Sequence, residues 1–132
     1  MYYFRYADAL LMLAECMNET GNTSGAVTLV NTTVRSRAFG GTVPAQYVWD
    51  TRMSAEEFRT KILDERMREL AGEGWRRRDL VRTGHFEEYI KVRNRWQALA
   101  STIGAQHRLF PVPMVEIKQN PHLEDDQNPG LN

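Results

Sequence analysis

Residues 62–82, ILDERMRELAGEGWRRRDLVR, carry most of the information about the fold. Counted from Phe58, the side chains of Ile62, Glu65 and Glu69 follow at steps of four, three and four residues. This spacing puts all of them on one face of a helix. Two carboxylates therefore share a face with apolar side chains that point towards a core. Because an unpaired buried charge costs several kcal/mol, both carboxylates need cationic partners.

Arginine is abundant enough to supply those partners. Arg66, Arg76 and Arg82 lie within the stretch, and Arg35 and Arg37 lie on the helix predicted before it. A guanidinium group suits this role because its planar fork can donate two hydrogen bonds to one carboxylate. We therefore predict a structural ion-pair network at this point of the fold. Its members within the stretch are Glu65, Glu69, Glu73, Arg76, Asp79 and Arg82.

A pair of catalytic carboxylates, as in a hydrolase, is the other interpretation of Glu65 and Glu69. We favour the structural network, because ion-pair networks shift the pKa values of carboxylates as often as active sites do, and inward-facing carboxylates are therefore no evidence of catalysis by themselves. A di-iron site needs a histidine three residues after the glutamate, where this chain has Arg68 and Gly72. The histidines lack metal-ligand spacing, and no nucleophile elbow, phosphate loop or dinucleotide fingerprint occurs. We predict no catalytic residue, no metal site and no cofactor.

Apolar periodicity outside this stretch predicts an all-α fold. The first helix is predicted over about 5–20 and the second over about 23–38. The turn between them, Gly21-Asn22, is so short that the two helices should pack as an antiparallel, tetratricopeptide-like hairpin. Apolar side chains nearly all round the first helix suggest that it is sandwiched between neighbours, with Cys16 as a small buried hydrophobe. The predicted core face of this helix consists of Ala7, Leu10, Leu11, Ala14 and Met17.

Further packed helices follow the hairpin. The third begins at a capping box formed by Ser54 and Glu57, with Met53 and Phe58 placed as a hydrophobic staple, and runs to about Ala71. Two more are predicted over 75–82 and over 86–103. Residues 109–113, LFPVP, begin an extended Pro-rich C-terminal tail, because each proline pushes its predecessor out of the helical region.

Composition narrows the possible functions. With 17 basic and 17 acidic side chains, the 132-residue chain has no net charge that would attract nucleic acid or an anionic membrane. Among the aromatic residues, Trp75 and Trp96 are predicted to pack in a core. Tyr47 and Trp49 lie in a loop, where they are candidates for stacking on sugar rings.

Several motifs together resemble the SusD/RagB-like family. They are RYADALLMLAE at 5–15, Asn31 with VRSRA at 34–38, the glutamate and arginine positions of 65–82, LFPVP at 109–113, and QNPG at 127–130. They follow the family's order over nearly the whole chain. Gly72 and Arg77 depart from the pattern, because the family usually has a large apolar or aromatic residue at both positions.

The resemblance implies a surface-exposed lipoprotein of the bacterial outer membrane that captures oligosaccharides without chemistry. Its expected partner is a SusC-like TonB-dependent transporter. Residues 1–132 are then a single helical domain, the C-terminal fragment of a longer protein, acting as scaffold and docking surface. The glycan would be bound mainly by the N-terminal part, and a lipid anchor outside the chain would provide the only membrane attachment. The aromatic start, Tyr2, Tyr3 and Phe4, fits a fragment that lacks a packing surface.

A second hypothesis comes from another class of protein. A tetratricopeptide-like hairpin is also the unit of helical-repeat adaptors, which bind peptide or protein partners. Such repeats need stacked neighbours for stability, and no second copy is seen at a fixed period.

Overall fold

The computed structural model describes residues 4–123 and 127–130, which leaves Tyr2 and Tyr3 outside the described part. The all-α prediction is confirmed, because the described residues form helices and connecting segments without a strand. The chain divides into two compact units, Met1–Arg76 and Arg77–Asn132. That residues 1–132 act as one domain stays a prediction.

The first unit is built from a helical hairpin and a third long helix. Its elements are α1 (Tyr6–Glu19), α2 (Thr23–Val30), a π-helical turn (Asn31–Arg35), α3 (Ser36–Ala38), a 3₁₀ turn (Ala45–Tyr47), α4 (Ala55–Glu69) and the start of α5 (Trp75–Arg82).

The turn between α1 and α2 forms as the sequence predicts. Gly21 has a φ of 87°, a conformation that glycine adopts without the strain a side chain would cause. Asn22 then caps α2, since its side-chain oxygen accepts a hydrogen bond of 3.0 Å from the backbone N–H of Gly25. The two helices pack together as a hairpin, and α4 packs against both.

The core of this unit lies between α1, α2 and α4. Trp49 closes it, with its ring edge-on to Phe58 at 6.0 Å. The fully or nearly fully buried side chains are Leu11, Ala14, Ala26, Val27, Val30, Val34, Phe58, Ile62 and Leu70. The predicted core face of α1 is confirmed at Ala7, Leu11 and Ala14, while Leu10 and Met17 pack partly buried against the cluster.

Two predictions for α1 are wrong. Met12 and Leu13 are exposed rather than sandwiched, and Cys16 is exposed rather than buried. The reason is that α2 and α4 both pack on the stripe that contains Leu11 and Ala14, so the other side of α1 faces solvent within the described residues.

The start of α4 follows the predicted capping signal in part. Ser54 Oγ accepts from the backbone N–H of Glu57 at 3.1 Å, and both Met53 and Phe58 enter the core as the staple requires. The carboxylate of Glu57, however, lies 3.2 Å from Nζ of Lys61 one turn further on.

The second unit has short elements. They are the remainder of α5, α6 (Phe86–Arg93), α7 (Gln97–Ala100), a 3₁₀ turn (Ala105–Arg108), α8 (Met114–Gln119) and a second 3₁₀ turn (Pro121–Leu123). Its small apolar cluster contains Leu80, Phe86 and Tyr89, with Val81, Ile90 and Ile103 packed against it.

The single helix predicted over 86–103 is wrong, because α6 ends at Arg93. Asn94 has an extended backbone, and its side-chain oxygen accepts from the backbone N–H of Trp96 at 2.9 Å. This local bond competes with helix continuation. As a result Trp96, predicted to be in the core, is 69% exposed.

Arg77 and Gln127 hold residues 107–113 in place within this unit. The guanidinium of Arg77 lies 3.9 Å from the ring centroid of Phe110 and donates to the carbonyl of His107 at 2.7 Å. Gln127 makes a reciprocal pair of hydrogen bonds with the backbone of Val112, of 2.8 and 3.1 Å. A cation on an aromatic ring therefore anchors this segment at position 77.

Candidate functional site

Glu65 lies on the face of α4 that is turned towards the π-helical turn. Its Oε2 accepts from Arg35 Nη1 at 2.7 Å and from Arg68 Nη1 at 2.9 Å. Arg35 and Glu65 are both buried, whereas Arg68 is exposed. Arg35 also donates to the backbone carbonyl of Tyr47 at 2.6 Å, so this one side chain ties the 3₁₀ turn to α4.

Glu69, one turn further along α4, is held by two other arginines. Arg5 donates from Nη1 to Oε1 of Glu69 at 2.8 Å, and Arg37 donates to the same oxygen. Arg5 also bonds Glu73 through Nε at 2.8 Å. These contacts raise the pKa of Arg5, chiefly through the hydrogen bond to Glu73 and then through that to Glu69. Arg5 therefore joins the start of α1 to the end of α4.

The remaining members predicted for the network have separate partners. Arg76 donates to the backbone carbonyl of Leu63 at 2.7 Å and lies 3.6 Å from the carboxylate of Asp64. In the second unit, Arg82 pairs with Asp79 on the same helix at 2.9 Å.

Arg66 also has partners other than those the sequence suggested. Its Nη1 lies 2.9 Å from the carboxylate of Asp8, and both residues are almost completely buried. Its Nε lies 3.5 Å from Glu15. Asp8 and Arg5 were not among the predicted members of the network. Asp8 carried a signal in the sequence, because it lies between Ala7 and Leu11 on the apolar stripe of α1.

An open cavity of about 450 Å³ lies beside Glu65 and Glu69. Both carboxylates line it, but each has a guanidinium nitrogen within 2.8 Å. Guanidinium groups at this distance compensate the negative charge of the two carboxylates and occupy part of their hydrogen-bonding capacity. The arrangement suits a fixed polar wall better than proton transfer.

The two loop aromatics differ in their surroundings. Tyr47 is 52% exposed at the edge of this cavity and stacks on Phe39, with ring centroids 5.4 Å apart. Trp49 is buried at 8% exposure, and its ring faces the Arg35 guanidinium at 5.0 Å. Phe39 was not a predicted site residue. It contacts Tyr47 and Arg35 because the π-helical turn places the end of α3 beside the 3₁₀ turn.

Two histidines of the second unit have partners of their own. His85 contacts Glu88 at 3.1 Å, and His107 accepts from the backbone N–H of Gly104 at 3.1 Å. Across residues 4–123 and 127–130, no three side chains of His, Cys, Asp or Glu form a group that could hold a metal ion. In the same residues, no helix has both the length and the apolar character required to cross a bilayer.

A helical hairpin fastened to a third helix by arginine–carboxylate pairs defines an all-α framework module of the tetratricopeptide-like kind. Residues 1–131 match the SusD family. The chain belongs to this family, which confirms the resemblance seen in its motifs.

Two curated relatives come from Formosa agariphila. SusD-like protein P25 is 38% identical over 122 residues, which cover 91% of this chain and 22% of the relative. SusD-like protein P38 is 42% identical over 127 residues, which cover 93% of this chain and 23% of the relative. The chain therefore spans less than a quarter of the length of these proteins. No solved structure matches it.

Proposed function

We propose that this chain is the framework part of a non-catalytic SusD-like protein that captures oligosaccharides at the bacterial outer membrane. Within that protein it acts as scaffold and as docking surface for a SusC-like TonB-dependent transporter. The oligosaccharide is bound mainly by parts of the protein outside residues 1–132. A lipid anchor, also outside these residues, holds the protein at the membrane.

The match of residues 1–131 to the SusD family carries this proposal. It favours glycan capture over the alternative of a free-standing adaptor for peptides. The contacts of Glu65 and Glu69 support a scaffold role, since each carboxylate is neutralised by arginine and joins elements that are distant in sequence. Hydrolysis would require at least one of these carboxylates to exchange a proton with a substrate, and the bonds to arginine do not favour such an exchange.

The docking role can be tested with the three lysines of the chain, Lys61, Lys91 and Lys118. The full-length protein is purified together with its transporter and treated with an amine-reactive cross-linker. We expect cross-links from at least one of these lysines to the transporter. If the rest of the protein cross-links to the transporter and these lysines do not, the docking role is wrong.

Capture without chemistry is tested by retention of the full-length protein in polysaccharide gels and by assay of new reducing ends. We expect retarded migration and no release of sugar ends. The variant Glu69→Gln should retain glycan binding and lose thermal stability. Measurable hydrolysis that Glu69→Gln abolishes at unchanged stability would instead make Glu69 a catalytic group.

A further inference from the structure

The cavity beside Glu65 and Glu69 has the dimensions of a ligand site. Its volume of about 450 Å³ falls within the roughly 300–1,000 Å³ of small-molecule pockets. It lies wholly within the first unit, between α4 and the segment that runs from the π-helical turn to the 3₁₀ turn. Arg35, the last residue of the π-helical turn, is part of its lining, and π-helical irregularities are frequent at functional sites.

One wall of the cavity is aromatic and open. Phe39 and Tyr47 are stacked with an angle of 16° between their rings, yet they remain 42% and 52% exposed. Two aromatic rings that stack on each other and still face solvent leave apolar surface that a ligand could cover. Trp49 below them is buried, so the platform rests on the core rather than on a mobile loop.

The opposite wall is polar and held in place. Arg35 lies over the rings of Trp49 and Phe39 and is bonded to Glu65 and to the carbonyl of Tyr47, which fixes the aromatic platform relative to α4. Asn31 strengthens this by exchanging two hydrogen bonds with the backbone of Trp49, of 2.9 and 3.1 Å. A site assembled in this way needs little reorganisation when a ligand enters.

Charge and hydrogen-bonding capacity restrict the class of ligand. The lining contains two guanidinium groups, of Arg35 and Arg68, and two carboxylates, of Glu65 and Glu69, so their formal charges cancel. Such a wall both donates and accepts hydrogen bonds without attracting an ion. A pyranose ring matches it, because sugar hydroxyls donate and accept while the C–H face of the ring stacks on an aromatic side chain. A uronic acid gains no net attraction from a wall whose charges cancel, and it would lose the hydration of its carboxylate on entering the cavity.

We propose that this cavity is a saccharide subsite for one or two rings of a neutral oligosaccharide. One ring stacks on Tyr47, and its hydroxyl groups bond to Arg68 and Glu69. The proposal rests on the proposed function of glycan capture and adds to it a contact made by this chain itself. The subsite is auxiliary, so its own affinity is weak and the main binding surface lies elsewhere in the protein.

The test is an amide NMR titration of the 132-residue chain with maltohexaose, laminarihexaose and xylohexaose, and with trigalacturonate as the acidic comparison. We expect at least one neutral hexasaccharide to give saturable shifts confined to residues 35–49 and 65–69. Tyr47→Ala should weaken this binding about tenfold, the effect of removing one stacked ring. Trp96→Ala removes an aromatic side chain of the second unit that is more exposed than Tyr47, and it should leave the affinity unchanged.

Arg68→Met provides a second variant if Tyr47→Ala disturbs the loop. It keeps the aliphatic stem of an exposed side chain and should weaken the sugar contact while preserving the amide spectrum. The subsite is refuted if no hexasaccharide shifts these residues, if both variants bind as the parent chain does, or if trigalacturonate binds more tightly than every neutral probe.

The full-length protein separates this proposal from the proposed function. Retention of the full-length protein in a polysaccharide gel reports the main binding surface, so the variant Tyr47→Ala should leave it nearly unaltered. A full-length protein that binds no polysaccharide overturns the proposed function, whereas the shifts seen in the 132-residue chain decide the subsite independently.

Discussion

Glu65 and Arg66 are consecutive residues of α4, and this adjacency decides which partners they take. Side chains at successive helical positions leave the helix in different directions. Glu65 therefore meets Arg35 of the π-helical turn, while Arg66 meets Asp8 of α1. Helical spacing predicted that the acids of α4 face inward, but not which arginine each acid would meet, because that choice depends on how the helices cross.

The Asp8–Arg66 pair should be costly to break but not to replace. Arg66→Met leaves the Asp8 carboxylate buried without its cation, and we expect a loss of about 3–5 kcal/mol in the free energy of unfolding. The double variant Asp8→Leu with Arg66→Met should recover most of this loss, since a buried ion pair is often no better than apolar packing of similar volume.

Urea denaturation of the single and double variants checks this prediction. Arg52→Met is the matched control, because the Arg52–Asp50 pair is exposed, and it should leave the free energy of unfolding nearly unchanged. An Arg66→Met variant as stable as the control would mean that the buried pair has little part in the fold.

Glu87 provides a pH-dependent contact in the second unit. Its hydrogen bonds to Arg108, of 2.7 and 2.9 Å, lower the pKa of the Glu87 carboxyl below its ordinary value of 4.5. A lowered pKa in the folded state means that the pair stabilises the protein above that ordinary value. The stabilisation is lost as the pH falls through the lowered value.

Arg108→Met should therefore destabilise the protein at neutral pH, where Glu87 is ionised, and make progressively less difference as the pH falls through the lowered pKa of Glu87. The Glu87 carboxyl should also titrate at a higher pH in the variant when followed by carbon-detected NMR. An unchanged titration midpoint would show that Arg108 does not set this pKa.

At the scale of elements, helix starts were easier to predict than helix ends. Ser54 caps α4 as its sequence context indicates, and the start of α6 at Phe86 was also found. The end of α6 was missed because one side-chain hydrogen bond, from the Trp96 N–H to Asn94, outweighs the apolar periodicity of residues 96–103. Local polar competition of this kind leaves little trace in a hydrophobic pattern.

The cap of α4 predicts a defined loss. Ser54→Ala removes the acceptor for the Glu57 N–H and should lower the free energy of unfolding by about 1 kcal/mol. Ser54→Asp, which restores an acceptor at the same position, should recover it. Chemical denaturation of the two variants measures the difference, and equal stability of both with the parent chain would contradict the cap.

Arg77 predicts a local effect in the second unit. Arg77→Ala removes the contact with the Phe110 ring and the hydrogen bond to the His107 carbonyl, which we expect to loosen residues 107–113 by about 1–2 kcal/mol. Faster hydrogen exchange and proteolysis confined to this segment would report the change. Arg95→Ala, at an exposed position of the same unit, is the control.

At the scale of the whole molecule, the sequence indicated an all-α fold, a helical hairpin and its family more clearly than any site. The family motifs are short patterns of consecutive residues, so they can be recognised in the sequence without coordinates. The cavity could not be predicted, because it depends on Phe39 meeting Tyr47 across a π-helical turn. Tyr47 was marked by its position in a loop, whereas Phe39 carried no signal of its own.

The surroundings of Glu65 and Glu69 indicate what these two inward-facing acids do. Glu65 and Glu69 line an open cavity, as catalytic groups would, yet arginines from α1, from the π-helical turn and from α3 reach them. A framework that binds a ligand with fixed ion pairs accounts for both features. Catalysis would require Glu65 or Glu69 to separate from the arginines that bind it.

Urea denaturation of Glu65→Gln tests this account most directly, with Glu57→Gln as the control because Glu57 is an exposed acid on the same helix. The account predicts that Glu65→Gln lowers the free energy of unfolding by about 3 kcal/mol, since buried Arg35 loses its counter-charge, and that the control changes it by less than about 1 kcal/mol. Equal stability of the two variants would contradict the claim that arginine-bound carboxylates hold the first unit together.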